Sequence, residues 1–186
     1  MRKLIVFVVF MIVTVNCFSQ TSFGLKASYL IPSFNWNYAP KDFDESTAGI
    51  SLGIVVEQTV KDQFCLQGEL TYTVYNLDIT DDDWYHLNYL ELPIIVKYYF
   101  YKGLNIYGGI KVGFELDAGS GMEREINKDD ISSINAMFPI GIGYKHKSGL
   151  YTDVRYNIGL SNVNKSDLTQ FFDNFNAFEI GLGYFF

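Results

Sequence analysis

Cysteine is nearly absent: only Cys17 and Cys65 occur in 186 residues. Cys17 lies in a stretch read below as a removable leader, so the mature chain has no partner for Cys65. That excludes an intramolecular disulfide and a thiol metal cluster. Histidine is equally scarce, with His86 and His146 the two examples. Positive charge is in deficit, 14 Lys and Arg against 21 Asp and Glu for a net charge of -7. A phosphate-binding face needs a basic stripe, so nucleic acid is excluded as a partner. Long apolar runs are missing as well. After residue 20 nothing approaches the roughly 20 apolar residues of a membrane-spanning helix.

The one apolar run sits at the amino terminus. Arg2 and Lys3 precede residues 4–15, which are apolar apart from Thr14. This positive start, short apolar core and the small residues Cys17 and Ser19 predict a signal peptide over residues 1–19. Lipidation would use Cys17, but Asn16 stands where that processing prefers a small residue. The mature domain is then 20–186, and any membrane crossing falls to strands.

What the chain does have is 14 Tyr, 16 Phe and 16 Gly, a mixture suited to paired strands. From Ile50 onward the even positions are apolar, as in Ile50-Leu52-Ile54-Val56, Leu90-Leu92-Ile94-Val96 and Phe178-Ile180-Leu182-Tyr184. The charges fall on odd positions: Glu57, Glu69, Glu91, Lys97, Lys111, Glu115, Lys145, Asp153, Arg155 and Glu179. A period of two places the two sets on opposite faces of a sheet. Residues 23–31 alternate too, with the apolar set on odd numbers and Lys26 on the charged face.

Connections alternate in length. Lys61-Asp62-Gln63, Tyr101-Lys102-Gly103 and Lys147-Ser148-Gly149 read as three-residue hairpin loops, two ending in glycine for the left-handed position. Residues 32–48, 76–87, 118–133 and 162–174 read as long polar links. Eight strands joined in this way form an all-β, eight-stranded antiparallel up-and-down barrel. Short turns at one end and long loops at the other are typical of transmembrane barrels of the outer membrane. A soluble lipocalin-like carrier would put the apolar face inside instead. Three features favour the membrane version. The charged face is diluted by Gly, Thr and Asn; aromatics crowd strand ends, as in Tyr98-Tyr99-Phe100-Tyr101; and the chain closes on Tyr184-Phe185-Phe186.

The segment Tyr89-Leu90-Glu91-Leu92-Pro93-Ile94-Ile95-Val96-Lys97-Tyr98-Tyr99-Phe100, followed by Gly103 and Tyr107-Gly108-Gly109, resembles the PorT-like outer-membrane β-barrel proteins. Phe23-Gly24-Leu25-Lys26, Gly141-Ile142-Gly143-Tyr144 and Gly181-Leu182-Gly183-Tyr184 resemble them too. The resemblance implies an outer-membrane barrel in a functionally mixed family and implies no reaction.

Chemistry-bearing clusters are few. His86 and His146 map to opposite ends of the barrel, so they cannot cooperate, and a lipid-modifying enzyme is the lesser alternative to a non-enzymatic barrel. Asp81-Asp82-Asp83 in one loop, and Glu123, Glu125, Asp129 and Asp130 in another, supply oxygen ligands but match no calcium-loop spacing. They read as a solvated surface, with no metal and no cofactor. Trp36, Tyr38 and Trp84, together with Asp81, Asp82 and Asp83, are the candidate loop contacts to a protein partner. The inward charges read as a structural network. The functional expectation is a monomeric barrel in outer-membrane lipid, with a structural or loop-mediated binding or adhesion role. The alternative is an accessory part of an export or assembly machine.

Overall fold

The computed structural model describes residues 21–36, 46–78, 84–120, 134–160 and 172–186. The expected leader, Tyr38 and Asp81–Asp83 lie outside them. Eight strands follow in order: β1 Thr21–Trp36, β2 Ser46–Lys61, β3 Phe64–Asp78, β4 Trp84–Tyr101, β5 Leu104–Ser120, β6 Ile134–Lys145, β7 Leu150–Gly159 and β8 Phe172–Phe185. Each pairs antiparallel with its neighbour, and β1 closes on β8 through Lys26↔Gly183 and Tyr29↔Ile180. Closure leaves no strand edge and satisfies the backbone within the sheet, the condition for crossing hydrocarbon with strands. The shortest strand has 10 residues, enough to span a bilayer when tilted.

The parity of the sequence is the parity of the wall. Ile110 is 58% exposed on the outer surface while its neighbour Lys111 is 1% exposed inside. Leu52, Ile54, Ile94, Ile140 and Leu182 face outward with Ile110. Lys26, Glu57, Glu69, Glu91, Lys97, Asp153, Arg155 and Glu179 are buried inside. Every face that water would normally hide is turned out, which is stable only where the surroundings are lipid.

The ends of the strands differ from the sequence expectation. Residues 32–36 extend β1, 46–48 begin β2, 76–78 end β3, 84–87 begin β4, 118–120 end β5 and 172–174 begin β8. The residues between the strands at these ends are then 37–45, 79–83, 121–133 and 160–171. Trp36 and Trp84 therefore occupy strand ends, with Trp36 paired to Phe172 and Trp84 to Asp78. Strand pairing carries the ladder past the apolar stretch because polar residues above the membrane can still exchange backbone hydrogen bonds.

Two of the three short turns are also tighter than expected. Lys61 pairs with Phe64 and Tyr101 with Leu104, so only two residues lie in each turn. Val60 and Phe100 are the extra residues of a bulge, and both stay on the outer surface. The Lys147-Ser148-Gly149 turn is the expected three-residue form. Gly149 N–H donates to the His146 carbonyl at 3.0 Å, and its φ of 93° lies in the left-handed region.

Candidate functional site: the charged interior

An eight-stranded barrel leaves an interior just wide enough for side chains. The odd positions fill it in three tiers. Nearest the short turns, Glu57 accepts hydrogen bonds from Lys97 Nζ at 3.1 Å, Lys145 Nζ at 2.8 Å and the Tyr99 hydroxyl at 2.8 Å. Lys97 Nζ also lies 4.0 Å from the centre of the Tyr151 ring, and Lys145 Nζ 4.0 Å from that of Phe185.

Arg155 organises the middle tier. Its guanidinium grips Glu69 with two bonds, 2.6 and 3.2 Å long, and its Nε donates to the Tyr107 hydroxyl at 3.3 Å. Asp153 and Glu179 lie 3.4 and 3.8 Å from the same group. Lys26, reaching in from β1, donates to Asp153 at 3.0 Å and Glu179 at 3.1 Å. Tyr107 donates to Asp153 at 2.6 Å, and Asn157 to Glu179 at 3.0 Å.

The third tier, toward the long links, centres on Glu91. It accepts from Thr73 at 2.7 Å, Tyr75 at 3.1 Å and Lys111 at 3.3 Å, and the Thr73 and Ser51 hydroxyls lie 3.1 Å apart. Lys111 Nζ lies 3.2 Å from Glu91, and Glu115 stands half-buried beside the β5 bulge at Leu116.

The sequence reading named the charges and missed most of their hydrogen-bond donors. Tyr75, Tyr99, Tyr107, Thr73 and Asn157 are all odd-numbered, so the same parity rule would have placed them inside. Their aromatic or neutral character hid them among girdle and turn residues. The inner face also holds apolar groups, with Val55, Tyr151 and Phe185 packed together.

Space for the long cations comes from inward glycines. A Cβ on Gly181 would overlap Asp153 Oδ1 and Lys26 Cε, and one on Gly141 would come within 2.5 Å of the Tyr107 ring. Gly181→Ala should therefore lower stability by about 1–3 kcal/mol by overpacking the middle tier. Gly68→Ala, where nothing lies within 4 Å of the added carbon, should not destabilise. Urea midpoints of the two refolded variants check this.

Arg155 is held by Glu69, Asp153 and Glu179, Lys26 by Asp153 and Glu179, and Lys97 by Glu57 and the Tyr151 ring. On the outer rim, His146 Nδ1 lies 2.8 Å from Ser148 Oγ and accepts the Ser148 N–H at 3.2 Å, a contact local to the turn. Among the described residues no three His, Cys, Asp or Glu side chains could hold a metal. The wall is outward-apolar, the inside is a paired charge plug, and residues 18–165 match the family model described as outer membrane protein beta-barrel domain.

The chain belongs to that family. It is an outer-membrane protein whose eight antiparallel strands form the transmembrane wall. Among solved structures, Neisserial surface protein A is similar at a TM-score of 0.61 with 16% identity, over 90% of this chain and 98% of that one. Ail, the attachment invasion locus protein of Yersinia pestis, solved with the heparin analogue sucrose octasulfate, is similar at 0.50 with 11% identity. That match covers 89% of this chain and 97% of Ail. At these identities the likeness is one of fold. No curated protein matches the sequence.

Proposed function

We propose that this is a non-enzymatic, monomeric outer-membrane barrel with a structural or loop-mediated binding or adhesion role, exported by cleavage near Gln20. The observation that carries this reading is the division of labour in the polar residues. The charged side chains inside the wall are paired with one another, while the sequence places further polar residues at 37–45, 79–83, 121–133 and 160–171, between the strands. The segment from Tyr89 to Phe100 supports PorT-like kinship within the family.

Charge narrows the partner. Residues 37–45, 79–83, 121–133 and 160–171 carry Asp42, Asp44, Glu45, Asp81, Asp82, Asp83, Glu123, Glu125, Asp129, Asp130 and Asp167. Lys41, Arg124, Lys128 and Lys165 oppose them. This excess of negative charge repels polyanions and favours a neutral or cationic partner, so the sulfated ligand seen on Ail is not carried over.

A photo-crosslinking residue at Trp84 or Asp82, in intact cells, tests the binding role. It should give a discrete protein adduct that vanishes when residues 121–133 are shortened, with the barrel still folded. Loop closure costs rise slowly with length, so the trimmed wall should keep its stability within about 1 kcal/mol. Absence of any loop adduct, or failure of the trimmed chain to assemble, contradicts this reading.

A further inference from the structure

Two outward positions in the membrane-facing set carry no side chain, Gly68 on β3 and Gly108 on β5. Gly108 sits between Val96 of β4 and Ile140 of β6, its register partners. The missing side chain opens an apolar groove of about 710 Å³ on the outer wall, bordered by Val96, Tyr98, Ile106, Ile140 and Ile142. A Cβ placed on Gly108 would meet only ordinary contacts, 3.6 Å from Phe138 and 3.7 Å from the Pro139 carbonyl. The notch is therefore not forced by packing of the wall.

Following β5 and β6 toward the short turns leads to a second groove, of about 820 Å³, at the mouth of the barrel. Lys102, His146 and Lys147 line it with the outward Tyr144, and the inward Tyr99 and Lys145 border its other side. Lys102 and Lys147 are exposed, whereas Lys145 is committed to Glu57. Lys102 Nζ lies 5.1 Å from the Tyr101 ring centre, and the adjacent hairpin adds the opposed pair Lys61 and Asp62. The rim is thus basic while the rest of the chain is acidic. The five residue steps from Gly103 to Gly108 span roughly 16 Å of strand. With strand tilt, that falls within one leaflet of a hydrocarbon core about 30 Å thick.

We propose that β4 to β7 hold one anionic phospholipid of the periplasmic leaflet, its phosphate between Lys102 and Lys147 and an acyl chain lying in the Gly108 notch. Short turns of outer-membrane barrels face the periplasm, which places the rim in that leaflet. Charge complementarity selects the headgroup. The outward position of the groove means that hydrocarbon chains are what surround it.

The test is native mass spectrometry of the full-length barrel in detergent, titrated with phosphatidylglycerol or phosphatidylcholine. Wild type should retain one phosphatidylglycerol and prefer it to phosphatidylcholine. Replacing both lysines, Lys102→Gln with Lys147→Gln, should weaken retention roughly 30-fold, the effect of two basic residues at an anionic surface. Gly108→Leu should also lose the lipid, while Gly68→Leu, on β3 and outside both grooves, should keep it. A side chain at Gly68 meets open space and one at Gly108 begins with ordinary contacts, so neither variant should fail to fold. Equal retention by Gly108→Leu and wild type, equal loss by both glycine variants, or no preference between lipids would overturn the proposal. Full displacement by inorganic phosphate would also overturn it, because it would reduce the site to a bare anion contact.

Discussion

Arg155→Met should destabilise the barrel by about 3–5 kcal/mol, the range for breaking a buried ion pair from one side. The arginine is 1% exposed and grips Glu69, with Asp153 and Glu179 within 4 Å. Methionine fills much of the volume and supplies no charge, leaving these three carboxylates to Lys26 alone. A second change, Glu69→Gln, removes the carboxylate that depended most on the guanidinium, and it should recover part of the loss. Glu57→Gln, one tier lower and held by Lys97 and Lys145, should add its own cost with little coupling. Urea titration after refolding into phospholipid vesicles gives all four numbers. Additive behaviour of Arg155→Met with Glu69→Gln would mean that the two groups do not form a unit.

The neighbours Ile110 and Lys111 should respond in opposite ways. Ile110→Arg puts a cation on the lipid face and should cost about 2–4 kcal/mol near the midplane. Lys111→Ile exposes nothing to lipid. It strips Glu91 of its cation, leaving Thr73 and Tyr75 as donors to a buried carboxylate. Glu91→Gln should therefore rescue Lys111→Ile in part and leave Ile110→Arg untouched. Glu115 lies four positions from Lys111 on the same strand, and Glu91 lies on the neighbouring one. Cross-strand register places Glu91 opposite Gly113 and Pro93 opposite Lys111, which lets the lysine reach Glu91 across the β4–β5 ladder.

Those two residues show what a sequence reveals of such a fold. A period of two needs no knowledge of neighbours, so the inward or outward side of Ile110, Lys111, Lys26 and Arg155 was legible in the chain. Turn positions were legible where glycine marks them, at Gly103 and Gly149. Partner choice was not, because Lys26 meets Asp153 and Glu179 only after β1 closes on β8, and closure is not written in any local pattern. Strand ends were misjudged for a similar reason. Residues 32–36 and 118–120 look polar and loop-like, yet the neighbouring strands offer them backbone partners. The tyrosines of the interior were hidden by their double nature, apolar body and polar tip. The bulges at Val60 and Phe100 depend on turn geometry rather than composition.

The apolar face of the wall meets lipid, and the charged face is sealed inside. Tryptophan fluorescence in vesicles tests this directly. In a background of Trp36→Phe and Trp84→Phe, a single tryptophan is introduced at Ile110 or at Ile140, both outward and near the middle of the wall. Brominated acyl chains should quench each strongly, and aqueous acrylamide should quench neither. Emission indifferent to brominated lipid would contradict the account, because these side chains would then face a cavity or water instead of the membrane.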